Sequence, residues 1–114
     1  MKIIKATSEL LKQFYGEPMK RSCTAYAAVD GDEVFGVVGY YTDSHHRVLF
    51  SEMRDEMRDY PILMFKTGKM VVREAYDPRL PLHAVADKNI EASERFMGRL
   101  GFVPVTKEVW LWVA

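Results

Sequence analysis

Three β-rich runs follow one another in the middle of this chain, joined by two turns, and they limit the sheet it can build. The stretch "CTAYAAVDGDEVFGVVGYYTD" sets Asp30-Gly31 between runs of β-branched and aromatic residues. The glycine of that dipeptide tolerates positive φ, so the pattern predicts a hairpin with strands at about residues 23–29 and 33–41. After the turn-like "TDS", the run "HHRVLFSEM" predicts a third strand at about 46–53. Strands clustered in this way argue for a hairpin-rich sheet flanked by helices, rather than a purely parallel doubly wound one.

The flanking segments fit that plan. "KIIKA" at residues 2–6 reads as a short strand, and "TSELLKQFYG" as a helix. Thr7 or Ser8 is its cap, Leu10 and Phe14 lie one turn apart, and Gly16 is its stop. From Pro61, which a first helical turn accepts, "ILMFKTGKMVVREAY" predicts a second helix, ending at Asp77-Pro78 and weakened at Gly68. "LPLHAVAD" is a short apolar strand, and "VPVTKEVWLWVA" supplies one or two more. The order β-α-β-β-β-α-β-α-β, with one further strand if the last segment splits, is a mixed α/β pattern within one domain spanning residues 1–114.

Bulk composition narrows the partners. Sixteen basic residues balance sixteen acidic ones, so no net field draws the chain to nucleic acid or to an anionic membrane. A lone Cys23 excludes an internal disulfide and a thiolate metal cluster, which points to a reducing, cytoplasmic setting. The start "MKIIKATSELLKQF" has no signal-peptide core, and no apolar run approaches a membrane span.

The stretch "DKNIEASERFMGRLGF", residues 87–102, predicts a third helix with its own start and stop. Asn89 is a good cap, and Glu91 favours the positive end of the helix dipole. Ile90, Met97 and Leu100 form one stripe with Ala92 and Phe96 beside it, while Glu91, Glu94, Arg95 and Arg99 face water. Gly101 suits the left-handed position after the last turn, and Phe102 folds back on the helix end.

That segment resembles the C-terminal motif of the GCN5-related N-acetyltransferases, the GNAT superfamily, through Asn89, Ala92, Phe96, Gly101 and Phe102. The element order resembles that fold as well. The resemblance implies an acetyl-CoA site, without a metal, in a gap between the strand ending near Met53 and the "LPLHAVAD" strand. The backbone from Leu49 to Met53 would hold the pantetheine arm, and Asn89 would contact the cofactor. Glu52 would serve as general base for an amine substrate, against the alternative of a solvated strand-end glutamate. Two departures stand beside these implications. Where the family has a glycine-rich pyrophosphate loop, this chain has "RDYPIL". Arg58 matches the first position of that loop, but Pro61 and Leu63 replace small residues, and proline has no amide hydrogen to donate. Phe96 occupies the cofactor-side position where many members carry a tyrosine acid. A late motif with an altered loop is also similar to divergent GNAT-like proteins of phages and prophages, which implies a host-cytoplasmic or virion-associated protein with changed or lost chemistry.

The remaining polar features read more simply. His45 and His46 fall in a solvated turn, His83 is expected as a hydrogen-bonded core histidine, and the segment of Glu52, Asp55, Glu56 and Asp59 with Arg54 and Arg58 as self-paired and solvated. "KTGK" at residues 66–69 lies within the predicted helix and lacks P-loop spacing. Trp110 and Trp112 share one face of the last strand and are expected to form an exposed apolar patch, suited to a homo-oligomer or virion interface.

Overall fold

The structure, a computed structural model, describes residues 1–85, 91–106 and 108–113. Its elements run β1 (Lys2–Lys5), α1 (Ser8–Tyr15), β2 (Thr24–Asp30), β3 (Glu33–Asp43), β4 (His46–Met53), a 3-10 helix (Asp55–Asp59), α2 (Pro61–Ala75), β5 (Leu82–Val85), α3 (Glu91–Leu100), β6 (Phe102–Pro104) and β7 (Val109–Trp112). The expected order holds, and the last segment does split into two paired strands. One sheet contains all seven strands in the order β1-β2-β3-β4-β5-β7-β6. Its neighbours are antiparallel except β4 and β5.

Alternation along the strands divides the core between the two faces of the sheet. On one face Leu11 of α1 packs over Ala25, Ala27, Val29, Val34 and Val37. On the other, Val71, Val72 and Ala75 of α2 and Met97 and Leu100 of α3 pack over Val38, Leu49, Leu82, Ala84 and Phe102. The amphipathic reading of the third helix is correct at the positions described: Met97 and Leu100 are buried, Phe96 is half-buried, and Glu94, Arg95 and Arg99 are exposed. Ile90 and the Asn89 cap lie outside the described residues.

Local chemistry sets the ends of α1. Thr7 accepts a hydrogen bond from the Leu10 amide at 3.2 Å, and the Gly16 amide closes the last turn on the Lys12 carbonyl. Gly101 ends α3 at φ +104, and a side chain there would also meet the Trp112 indole at 2.9 Å. Gly68 has a packing reason to sit mid-helix. A Cβ at that position would approach Phe96 Cζ to 3.0 Å and both Leu100 methyls to 3.1 Å, so its absence lets α3 lie close against α2.

The expected tryptophan patch is not formed. Trp110 pairs across from Ala84, which turns both tryptophans toward the α2 and α3 layer, where they pack half-buried against the core. Trp112 Nε1 donates to the Leu100 carbonyl at 2.9 Å, and its ring meets Tyr76 edge-on at 5.1 Å. Which face the strand turns toward the helices is a tertiary fact that alternation alone leaves open.

Candidate functional site

The junction of β4 and β5 creates the opening. Their register runs Arg47↔Leu82, Val48↔His83, Leu49↔Ala84 and then stops, while Val85 pairs only with Val109 of β7. Residues 50–53 remain bonded to β3 on one side, yet have no strand partner on the other among the described residues. The free edge therefore begins one residue after Leu49, where sequence reasoning had started it.

The closed end of this junction is held by Arg47. Its guanidinium donates to the Ala75 carbonyl at the end of α2 at 2.8 Å and lies 5.3 Å from the Tyr40 ring centre, while its amide bonds to the Pro81 carbonyl. A cation at a helix C-terminus satisfies an orphan carbonyl and the negative end of the dipole. Glu74, one residue earlier, accepts hydrogen bonds from the hydroxyls of Tyr26 and Tyr40, clamping the same helix end to β2 and β3. The bond to Glu74 is the main reason the Tyr26 hydroxyl is held above its ordinary range.

Glu52 projects on the α1 side of the open edge, with Phe50 and Val48 on the same face. It is exposed, and it lines a cavity of about 470 Å³ with Tyr15, Phe50 and Tyr41. Tyr15, at the end of α1, has its hydroxyl pushed up to about 12, chiefly by burial and then by the negative charges of Glu52 and Cys23. It stays protonated through neutral pH. Burial also pushes the Cys23 thiol up. Helical spacing identified α1, but nothing local in the sequence brings Tyr15 to Glu52. That approach depends on how α1 crosses the sheet.

The other expected site residues are distributed as follows. Met53 is half-buried, its side chain packed toward α2 and against Gly36 while its backbone lies on the open edge. Arg58 sits on the 3-10 helix with an exposed side chain 3.8 Å from Asp55. Phe96 rests over Gly68. Asn89 falls outside the described residues. The charged segment containing Arg58 pairs internally through Arg58 and Asp55, but Arg54 instead reaches Glu33 of β3 at 3.5 Å, and the segment buries Met57, which makes it a structural turn rather than a self-paired, solvated run.

The start of α2 is sparse in donors. Pro61 occupies the first turn without an amide hydrogen, Tyr60 supplies no side-chain cap, and the Met64 amide already bonds the Tyr60 carbonyl. Only the amides of Ile62 and Leu63 remain to face an anion there.

His83 departs from its expected role. It is half-buried on the same face as Val48, its ring edge-on to His46 at 5.2 Å, and its Nδ1 is buried without a hydrogen-bond partner among the described residues. Burial, and then the neighbouring His46, hold it below its ordinary range, so it is neutral at pH 7. Among the described residues no group of three or more His, Cys, Asp or Glu side chains is arranged to hold a metal ion, and no helix is long and apolar enough to cross a membrane.

No family model and no curated protein sequence matches the chain. Among solved structures it is similar to one described as "Putative GnaT-family acetyltransferase from Bordetella pertussis", with a TM-score of 0.53 and 16% identity, over 91% of this chain and 68% of that one. Extensive overlap at such low identity is a likeness of fold, and it gives this chain the α/β fold of a GNAT acetyltransferase.

Proposed function

We propose that the chain is an acyl-CoA-dependent N-acyltransferase with a diverged grip on its cofactor. The observation that carries this reading is the edge of β4 at residues 50–53, unpaired among the described residues, with Glu52 projecting from it into a cavity beside Tyr15. Exposed strand amides and carbonyls suit the amide-rich pantetheine arm of acetyl-CoA, because both partners can continue a ladder. When bound, acetyl-CoA would supply a thioester carbonyl as the acyl donor. Glu52 accepts a proton from the acceptor ammonium, directly or through one water, and frees the nitrogen lone pair for attack. With acetyl-CoA bound, the C–N bond would form as the C–S bond breaks and the sulfur leaves as thiolate. Phe96 has no proton to give that thiolate, so solvent protonates it.

Divergence is proposed for the phosphate end. With Pro61 in the first turn of α2 and only two amides free there, affinity for the pyrophosphate is expected to be weak. Those same residues favour a second reading, a catalytically silent GNAT-fold module with a partner-binding role in a phage particle or an infected cell. A kinetic comparison separates the two. With acetyl-CoA and an amine acceptor, Glu52→Gln is expected to lower kcat by about 100-fold while leaving KM for acetyl-CoA nearly unchanged. An unchanged kcat removes Glu52 from the mechanism, and absence of turnover in the parent protein favours the silent module.

A further inference from the structure

The geometry points to an acceptor that is an elongated amine carrying an anionic group at its far end. This inference rests on the reading of Glu52 as the amine end of the acceptor site, and it concerns what lies at the other end. Arg21, on the loop after α1, holds its guanidinium over the Tyr41 ring at 4.3 Å from the ring centre, on the wall of the same cavity. Tyr41 and Phe50 form a continuous aromatic floor, with ring centres 6.1 Å apart.

Register sets the spacing between Glu52 and Tyr41, the ring over which Arg21 lies. Tyr41 pairs with Val48, four strand positions from Glu52, which is about 13 Å along the sheet at the usual strand rise. A carboxylate at one end, an aromatic floor between and a guanidinium at the other select a molecule with an ammonium, an apolar middle and a carboxylate or phosphate. An α-amino acid is too short to reach both ends.

Arg21 is not consumed by its neighbours. Its contact with Asp43 is 3.8 Å long and half-exposed, a weak pairing that leaves other guanidinium N–H groups free. Stacking on Tyr41 fixes the plane of the guanidinium, which lowers the entropy lost when an anion binds. Glu17 and Lys20 on the same loop contribute one charge of each sign, so Arg21 and Glu52 set the polarity of the cavity.

Calorimetry on the full chain, without acetyl-CoA, tests this using ω-aminooctanoate and octylamine, which differ only in the distal carboxylate. The parent protein is expected to bind ω-aminooctanoate about tenfold more tightly, a single charge-assisted contact. Arg21→Gln should bring the two ligands to within about twofold, and Glu52→Gln should weaken both alike. Equal affinities in the parent protein, or a preference that survives Arg21→Gln, would overturn the inference. Because no acyl transfer is measured, loss of the preference is distinct from failure of the acyltransferase reading, which shows as absent turnover with the amine bound normally.

Discussion

Among the described residues, strands β3 and β4 share eight register pairs, from Gly36↔Met53 to Asp43↔His46, whereas β4 and β5 share three. Both junctions belong to one sheet, and β4 takes part in both. The antiparallel side is formed by a direct turn and is paired along its whole length. The parallel side is reached through α2, is pinned at one end by Arg47, and has no register pair past Leu49↔Ala84 among the described residues. Stability is concentrated in the first region and the candidate chemistry in the second, since a free backbone edge is useful only where the sheet is left incomplete.

Packing can break this comparison most sharply. Gly39 in β3 lies so close to β2 that a Cβ there would meet the Thr24 carbonyl oxygen and approach Ala25 Cβ to 2.8 Å. Gly39→Val is expected to cost about 3 kcal/mol in urea unfolding, because rigid backbone must move. On the far side of the opening, Trp112→Phe removes one hydrogen bond to the Leu100 carbonyl and should cost only about 1 kcal/mol. Equal losses from the two variants would erase the distinction between the tightly packed antiparallel strands and the β7 end of the sheet.

A smaller effect sharpens the comparison at the site itself. Tyr15 is raised from its ordinary value of 10.0 to about 12 in the folded chain. Between those values the folded state keeps a proton that the unfolded state has lost. This contribution to stability is therefore intact below the lower value and is lost as pH rises through the higher one. A tyrosine-ring NMR titration, assigned with Tyr15→Phe, should place the midpoint near the higher value. Glu52→Gln should lower it only part of the way, because burial is the larger cause. A midpoint indifferent to Glu52 would separate the two residues.

Local signals made most of the scaffold legible. Asp30-Gly31 specified the hairpin, Thr7 and Gly16 bounded α1, and Gly101 marked the end of α3, with β6 starting at Phe102, one residue before the expected strand segment. Each acts within a few residues, where capping and turn chemistry dominate. The misreadings arose where distant elements decide the outcome. Alternation put Trp110 and Trp112 on one face, but only the position of α2 and α3 made that face interior. Gly68 looked like a weakness in a helix, and became a contact surface once α3 was in place. His83 was expected to find a hydrogen bond, yet its neighbour is a second histidine from β4.

The site divides along the same line. The resemblance named Glu52 and Met53 as candidates, and Glu52 lies on the wall of the cavity. Tyr15 and Arg21 were not legible, because a helix end and its following loop reach β4 only through the tertiary crossing of α1, whereas Tyr41 comes beside Val48 through the β3–β4 register. The resemblance of the third helix to the GNAT motif anticipated the fold that the chain shares with the solved structure.

The central claim is that the unpaired edge of β4 is a binding edge. Titration of acetyl-CoA into isotopically labelled protein, followed through backbone amide NMR, tests it directly. The amides of residues 50–53 should shift progressively, with those of β1 and β2 unmoved. If millimolar acetyl-CoA leaves residues 50–53 unchanged, the edge does not hold the cofactor and the claim is contradicted.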